Sequence, residues 1–190
     1  MTDDVLSKYI DDRALVSIKR ESIDHRTLQA LPLAYSNELL CVYYVSDFRL
    51  DGLLFLRRLD ISSIQTRATD HFQLGLLNDA GLLPEYEKIE RFPLDSFTSI
   101  LTSLPSTEIA IVECESLEEE ENFFSIGRFA GCDADDFIAL HEFSGAANWD
   151  DDLTKHAPEE ITCVQLRNNY IHHYQKYFDR IGFPPIPDDE

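Results

Sequence analysis

The alternation of apolar and polar positions is most regular between residues 38 and 65. Two apolar runs rich in β-branched and aromatic residues predict two long antiparallel strands. We place the turn between them around Asp51-Gly52, because Asp-Gly is a common hairpin signal. A third, short strand is expected over residues 61–65. The stretch therefore predicts a hairpin that continues into a short strand.

A similar order of elements follows later in the chain and ends at residues 160–164. In each half the periodicity predicts a helix, five strands and a second helix. Leu31–Ala34 and Ile126–Phe129 are 95 residues apart, Leu39–Val42 and Phe137–Leu140 are 98 apart, and Asp60–Ile64 and Glu160–Val164 are 100 apart. The offset grows only at turns, as expected when one unit is duplicated and its loops change in length.

These patterns divide the chain into two β modules, residues 1–84 and residues 95–183. The polar segment 85–94, which follows Pro84 and contains Pro93, is expected to link them. Residues 184–190 are expected to form a loose acidic tail. No apolar run approaches the length of about 18 residues that a membrane helix needs.

Within each module, a short helix followed by five bent antiparallel strands is the plan of Sm-like small β-barrels. On the strength of the Asp51-Gly52 hairpin and the short strand Asp60–Ile64, the chain resembles bacterial proteins with two tandem Sm-like barrels. The resemblance implies a mainly β fold with short flanking helices (α+β), built as a duplicated five-stranded antiparallel Sm-like barrel. Sm proteins hold RNA through an Asp and an Asn in one loop and an Arg-Gly pair near the last strands. Here the first loop reads Ser36-Asn37-Glu38 and no Arg-Gly pair follows either final strand, so that RNA site is not carried over.

The formal net charge of −20 is unevenly spread along the chain. Residues 1–94 carry 11 Lys and Arg against 15 Asp and Glu, a net charge of −4, whereas residues 95–190 carry 5 against 21, a net charge of −16. A field of this sign repels phosphate backbones, so nucleic acid is an unfavourable partner, above all for the second half. Solubility is one explanation of the acidic surface, and attraction of a basic protein partner is the other.

Sequence signatures of catalysis and of metal or cofactor binding do not occur in the chain. There is no Gly-x-Gly-x-x-Gly, Walker-type loop, Gly-x-Ser-x-Gly, His-x-x-x-His or Cys-x-x-Cys. We therefore expect a non-catalytic protein without a cofactor or a metal ion. The four cysteines are widely spaced and three lie in apolar runs, which indicates reduced thiols in a cytoplasmic protein. The N-terminal residues also lack the basic and apolar regions of a signal peptide.

Acidic side chains are the first candidates for partner binding, in a protein acting as an adaptor or an immunity-type inhibitor. They are Glu118, Glu119, Glu120, Glu121, Asp150, Asp151 and Asp152. Solvated turns are the plain alternative for both runs. Trp149, beside the second run, is either part of this surface or a buried anchor between the two modules.

The chain has one basic cluster set among aromatic residues, which includes Arg49, Arg57 and Arg58. Arginines interleaved with aromatic rings are typical of proteins that bind single-stranded nucleic acid, and this is the alternative function. The competing interpretation is that these arginines pair with nearby aspartates. The last predicted helix, residues 168–180, carries an aromatic stripe. We expect it to pack on the second module; the alternative is that this helix, or the Phe72–Leu77 face of the middle helix, contacts a second copy in a homodimer.

Overall fold

The computed structural model describes residues 2–85, 88–117 and 122–187. The α-helices in these ranges are α1 (Asp3–Asp11), α2 (Ala68–Asp79), α3 (Phe97–Thr102) and α4 (Asn169–Ile181). The strands of the first half are β1 (Val16–Lys19), β2 (Thr27–Tyr35), β3 (Leu39–Ser46), β4 (Arg49–Arg57) and β5 (Ser63–Gln65). Those of the second half are β6 (Ile109–Cys114), β7 (Phe123–Cys132), β8 (Ile138–Glu142), β9 (Thr154–His156) and β10 (Cys163–Leu166).

These ten strands form one antiparallel sheet in the order β5-β1-β2-β3-β4-β10-β6-β7-β8-β9. β5 and β9 are its two edges, so the hydrogen-bonded sheet of the described residues is open. Four short helices accompany it. The prediction of a mainly β fold of the α+β class is therefore confirmed. Among the helices described, none combines the length and the apolar character needed to cross a membrane.

The last strand of the sequence joins the two halves. β10 lies between β4 and β6, with Cys163 opposite Leu56 on one side and Glu113 on the other. Val164 and Phe55, from the two halves, are fully buried in the same hydrophobic cluster. That cluster also takes in buried residues of α3, β6 and β8. One core therefore runs through the junction between the halves.

The central hairpin turns four residues earlier than the sequence predicts. Asp47 and Phe48 form the turn, with φ angles of 46° and 60°. Gly52 instead lies inside β4 with a φ of 77°, and a Cβ built on it would stand 2.4 Å from the backbone nitrogen of Asn168. The glycine is needed there because another backbone approaches, which composition alone does not distinguish from a turn.

The predicted linker packs on the sheet where the structure describes it. Phe92 meets Phe55 of β4 edge-on, with ring centroids 5.1 Å apart. The guanidinium of Arg167, in the second half, lies 5.6 Å from the centre of the Phe92 ring and donates to Glu90 at 2.7 Å. Residues 88–94 are therefore in contact with both halves.

Trp149 lies within the second half. Its ring is 4.7 Å from that of Phe178 on α4 and 5.0 Å from that of Phe143. These residues belong to a cluster with Ile109 and Ile171, all from β6 onward. The interpretation of Trp149 as an anchor between the two modules is therefore wrong. The expectation that α4 packs on the second half is confirmed by the same cluster.

Candidate partner-binding surface

A small groove opens where β6 ends and β7 begins. Its volume is about 160 Å³. We call it the acidic groove; its lining residues are Ile23, Asp24, Arg26, Glu113, Glu115, Ser116, Asn122, Phe123 and Phe124. It thus combines three carboxylates, one guanidinium and two phenylalanines, contributed by both halves of the chain.

Glu113 is the carboxylate of the acidic groove that has no cationic partner. It is half-buried on β6, and its Oε2 accepts a hydrogen bond from Gln165 Nε2 at 2.8 Å. No Lys or Arg of the described ranges forms an ion pair with it. Burial and then the neighbouring Glu115 carboxylate raise the pKa of Glu113 above its ordinary value, and they outweigh the hydrogen bond of Gln165 and the charges of Arg20 and Arg26, which lower it. A cation arriving from outside would therefore find a poorly solvated carboxylate that forms no ion pair with the described residues.

The other carboxylates of the groove are already paired. Arg20, whose side chain is 3% exposed, binds both oxygens of Glu115 at 2.6 and 2.7 Å and Asp24 at 2.7 Å. Arg26 reaches Glu115 at 3.2 Å. Burial opposes the charge of Arg20, but the hydrogen bond and charge of Glu115 outweigh it and raise the pKa of Arg20. The bidentate Arg20–Glu115 pair holds Glu115 in place. Glu113 is then the carboxylate of the groove that can still form an ion pair.

Two phenylalanines form the exposed wall. Phe123 is 62% exposed and Phe124 is 53% exposed. The Phe124 ring lies 6.4 Å from that of Tyr170 on α4, so the apolar surface continues onto the helix. Adjacent exposed rings of this size are typical of a contact surface. The predicted acidic run Glu118–Glu121 falls outside the described residues; in the sequence it lies just before this strand.

The second acidic run lies on a different loop, between Trp149 and β9. Asp150, Asp151 and Asp152 are exposed. The backbone nitrogen of Asp150 donates to the Glu142 carbonyl at 3.0 Å, and its own carbonyl accepts from His141 Nε2 at 3.0 Å. Trp149 is half-buried in the cluster beneath this loop. The structure therefore anchors the run through its backbone and leaves the three carboxylates facing solvent.

The arginines of the nucleic-acid alternative are used in different ways. Arg57 donates to the carbonyl of Glu159 at 2.7 Å, across the junction between the halves. Arg58 pairs with Asp3 of α1 at 2.8 Å. Arg49 is exposed and forms no ion pair with any residue the structure describes. Two of the three guanidinium groups therefore already serve the fold.

Sequence reasoning missed an alignment of a thiol, an imidazole and a carboxylate. Cys114 Sγ lies 3.8 Å from His156 Nδ1, and His156 Nε2 lies 3.9 Å from Glu142 Oε1. Burial raises the pKa of the Cys114 thiol to about 11. About one thiol in ten thousand is then ionised at pH 7, and a thiol is a poor nucleophile. The three side chains connect β9 with β6 and β8, and the protonated thiol argues against nucleophilic catalysis.

The residues described offer no obvious metal site: no three His, Cys, Asp or Glu side chains of residues 2–85, 88–117 and 122–187 are placed to share an ion. Compared with protein families, curated proteins and solved structures, the chain shows no match. Its function has to be argued from the chemistry of its own surface.

Proposed function

We propose that the chain is a non-catalytic cytoplasmic binding protein whose acidic second half docks a basic protein partner, as an adaptor or an immunity-type inhibitor does. The observation that carries the proposal is Glu113, a half-buried carboxylate that forms no ion pair with a described Lys or Arg and lines a groove together with two exposed phenylalanines. The net charge of −16 over residues 95–190 supports it, because such a field draws in a basic protein over long range.

A Lys or Arg of the partner would insert between Phe123 and the Arg20–Glu115 pair. Its alkyl stem would cover the exposed rings while its charged end met Glu113. The charge-assisted hydrogen bond forms where water is already largely excluded, which makes it stronger than a surface ion pair. Binding would also return the raised pKa of Glu113 towards or below its ordinary value.

The test compares three immobilised proteins for capture from cells of the source organism. They are the wild type, the groove variant Glu113→Gln/Phe123→Ser, and the control Leu59→Ser, which changes an 89% exposed apolar residue of the first half. Wild type and control should retain the same basic protein at low ionic strength and release it as salt is raised. The groove variant should bind that protein at least about tenfold more weakly, as loss of about 1.5 kcal/mol implies.

Equal retention by the groove variant and the wild type would remove the acidic groove from the proposal. Capture of no salt-sensitive protein by any of the three would remove the docking function itself. If nuclease treatment abolished the capture, the nucleic-acid alternative through Arg49, Arg57 and Arg58 would take its place.

We also infer that the two halves are copies of one unit with an Sm-like strand order. The first half pairs as β5-β1-β2-β3-β4 and the second as β10-β6-β7-β8-β9. A bulge interrupts the ladder between β2 and β3 after Pro32, and another interrupts the ladder between β7 and β8 after Phe129. Opposite these stand Val42 and Leu140, 98 residues apart. A shared irregularity supports duplication more strongly than strand order, because bulges are local and persist within families.

An experimental structure tests this inference directly. Residues 16–57 should superpose on residues 110–156 with the two bulges coincident. The two bulges set the offset between β2 and β7 at 97 residues, from Pro32 to Phe129, and not at the 95 residues expected from the sequence. A superposition that failed in these strands would contradict the duplication while leaving the docking proposal intact.

A further inference from the structure

The proline-rich end of the described chain lies across an aromatic cluster. After α4, Gly182 takes a φ of 91° and redirects the backbone. The Phe183 ring then lies 5.6 Å from that of Phe178 and 6.1 Å from that of Trp149. Residues 183–187 read Phe-Pro-Pro-Ile-Pro, a composition that favours an extended polyproline conformation. This segment of the chain itself thus places an aromatic side chain on the rings of Trp149 and Phe178, as a bound peptide could.

Arg128 is the polar centre of this contact. It is only 5% exposed, and its guanidinium lies 4.7 Å from the Trp149 ring and 5.1 Å from the Phe183 ring. Its Nη2 donates to the Pro184 carbonyl at 2.7 Å and lies 3.3 Å from His141 Nδ1. Buried arginines are normally paired with carboxylates, yet no described Asp or Glu forms an ion pair with this one. The acceptor it uses is a main-chain carbonyl, which any peptide can supply.

The chain's own segment leaves part of the cluster unsatisfied. Arg128 Nε and Trp149 Nε1 are both buried, and neither has an acceptor among the described residues. Buried donors of this kind are uncommon in folded proteins and favour a ligand that brings further oxygen atoms. The Phe183 ring and the Pro184 carbonyl therefore occupy the aromatic cluster without using its full hydrogen-bonding capacity.

We propose that Trp149, Phe178 and Arg128 form a binding site for a Phe-Pro peptide segment of a partner protein, occupied in cis by residues 183–187. Aromatic and proline side chains would pack on Trp149 and Phe178, and backbone carbonyls would accept from Arg128 and the indole nitrogen. The internal segment is tethered next to the site and competes at high effective concentration, so an outside peptide binds only when that segment is released. The site is distinct from the acidic groove, and neither proposal depends on the other.

The test uses the full chain carrying Phe183→Ala and a synthetic peptide with the sequence of residues 182–187. Trp149 is the only tryptophan of the chain, so its fluorescence reports on this site alone. The variant should give a saturable change with the peptide, and the wild type should need at least tenfold more peptide. A matched peptide with alanine in place of its phenylalanine should give no change with either protein.

A folded Phe183→Ala protein that shows no saturable change would overturn the proposal, as would equal responses to the two peptides. Should that variant fail to fold, the wild type decides the matter by NMR. Millimolar peptide should then move the Trp149 indole resonance and free the resonances of Phe183. Resonances that stay fixed at that concentration would also overturn it.

Discussion

The outer edges of β4 and β9 differ, although the two strands hold corresponding places in the two halves. β4 has nine residues, and β10 pairs along its outer edge. β9 has three residues, and no strand of the described residues pairs along its outer edge. Their inner pairings match: Leu56 stands opposite Leu40, and His156 stands opposite Ile138. The two strands therefore differ at their outer edges in spite of their matching inner pairings.

Three residues of β4 contact the segments just before and just after β10. Gly52 leaves room for the backbone at Asn168, Asp51 accepts from the backbone nitrogen of Asn169 at 2.7 Å, and Arg57 binds carbonyls before β10. The residues at the same register beside β9 are Asp152, Asp151 and Ala157. These positions carry a carboxylate where β4 has a glycine and a methyl group where β4 has a guanidinium. Short, charged edges of this kind resist further strand pairing.

Gly52→Ala should have the largest effect on this comparison. The new Cβ would stand 2.4 Å from a backbone nitrogen, and alanine would also be held at a positive φ. We expect the free energy of unfolding in urea to fall by about 3 kcal/mol or more. Gly81→Ala is the matched control, because Gly81 has a φ of 64° but open space around it, and it should cost about 1 kcal/mol. Equal losses in the two variants would show that strain, not the close approach, matters at Gly52.

Arg57→Met should loosen the junction. The change keeps an apolar stem but removes the hydrogen bonds to the carbonyls of Glu159 and Ile161. We expect a loss of about 1–3 kcal/mol, together with faster amide hydrogen exchange in β10. Arg49→Met, at an exposed position of the same strand, should stay within about 0.5 kcal/mol of the wild type. Unchanged exchange in β10 would mean that strand pairing alone holds the junction.

Asp51→Ala should have a smaller effect, of about 1 kcal/mol. The variant removes an acceptor from the first turn of α4, where backbone N–H groups lack partners within the helix. Thermal unfolding followed by circular dichroism measures the change. Asp151→Ala alters the corresponding residue beside β9 and should leave the midpoint unchanged. A similar fall in both variants would indicate a general charge effect and not this hydrogen bond.

The smallest effect concerns a titratable group in the second half, His141, whose counterpart in the first half is Tyr43. Burial lowers the pKa of His141 and the Arg128 guanidinium lowers it further, while the Asp150 carbonyl opposes them. As pH falls below the ordinary value of 6.5, the unfolded chain takes up the proton first, so the free energy of unfolding decreases. His141→Gln should lose this component and keep a flatter profile between pH 7 and 5. If the free energy of unfolding of the wild type rose relative to that of the variant as the pH fell from 7 to 5, the assignment to His141 would be wrong.

The sequence predicted individual elements well where their signal is local. The last helix, expected over residues 168–180, begins and ends one residue later as α4. The turn was misplaced because Asp-Gly is favoured at hairpins, whereas Asp47-Phe48 is not a usual pair there. The purpose of Gly52 depends on a backbone more than 100 residues away, which no local pattern reveals.

The candidate sites were harder to predict for the same reason. Glu113 is a lone acid within an apolar strand, and its isolation from cations appears only once Arg20 is seen to bind Glu115. Arg128 reads as a surface residue in the sequence and is buried under Phe183. The clearest local signal was overlooked: two adjacent phenylalanines follow four glutamates and an asparagine, where alternation would place at most one of them on the core.

The position of β10 sets an order of events during synthesis. β4 leaves the ribosome more than a hundred residues before β10 does. The backbone groups along this edge of β4 therefore lack their β10 partners until the second half has been synthesised. A cleavage in the segment around residues 85–94 after folding would leave two fragments held together, because the strand that completes the first half belongs to the second. The strand that joins the two halves is thus among the last parts of the chain to be synthesised.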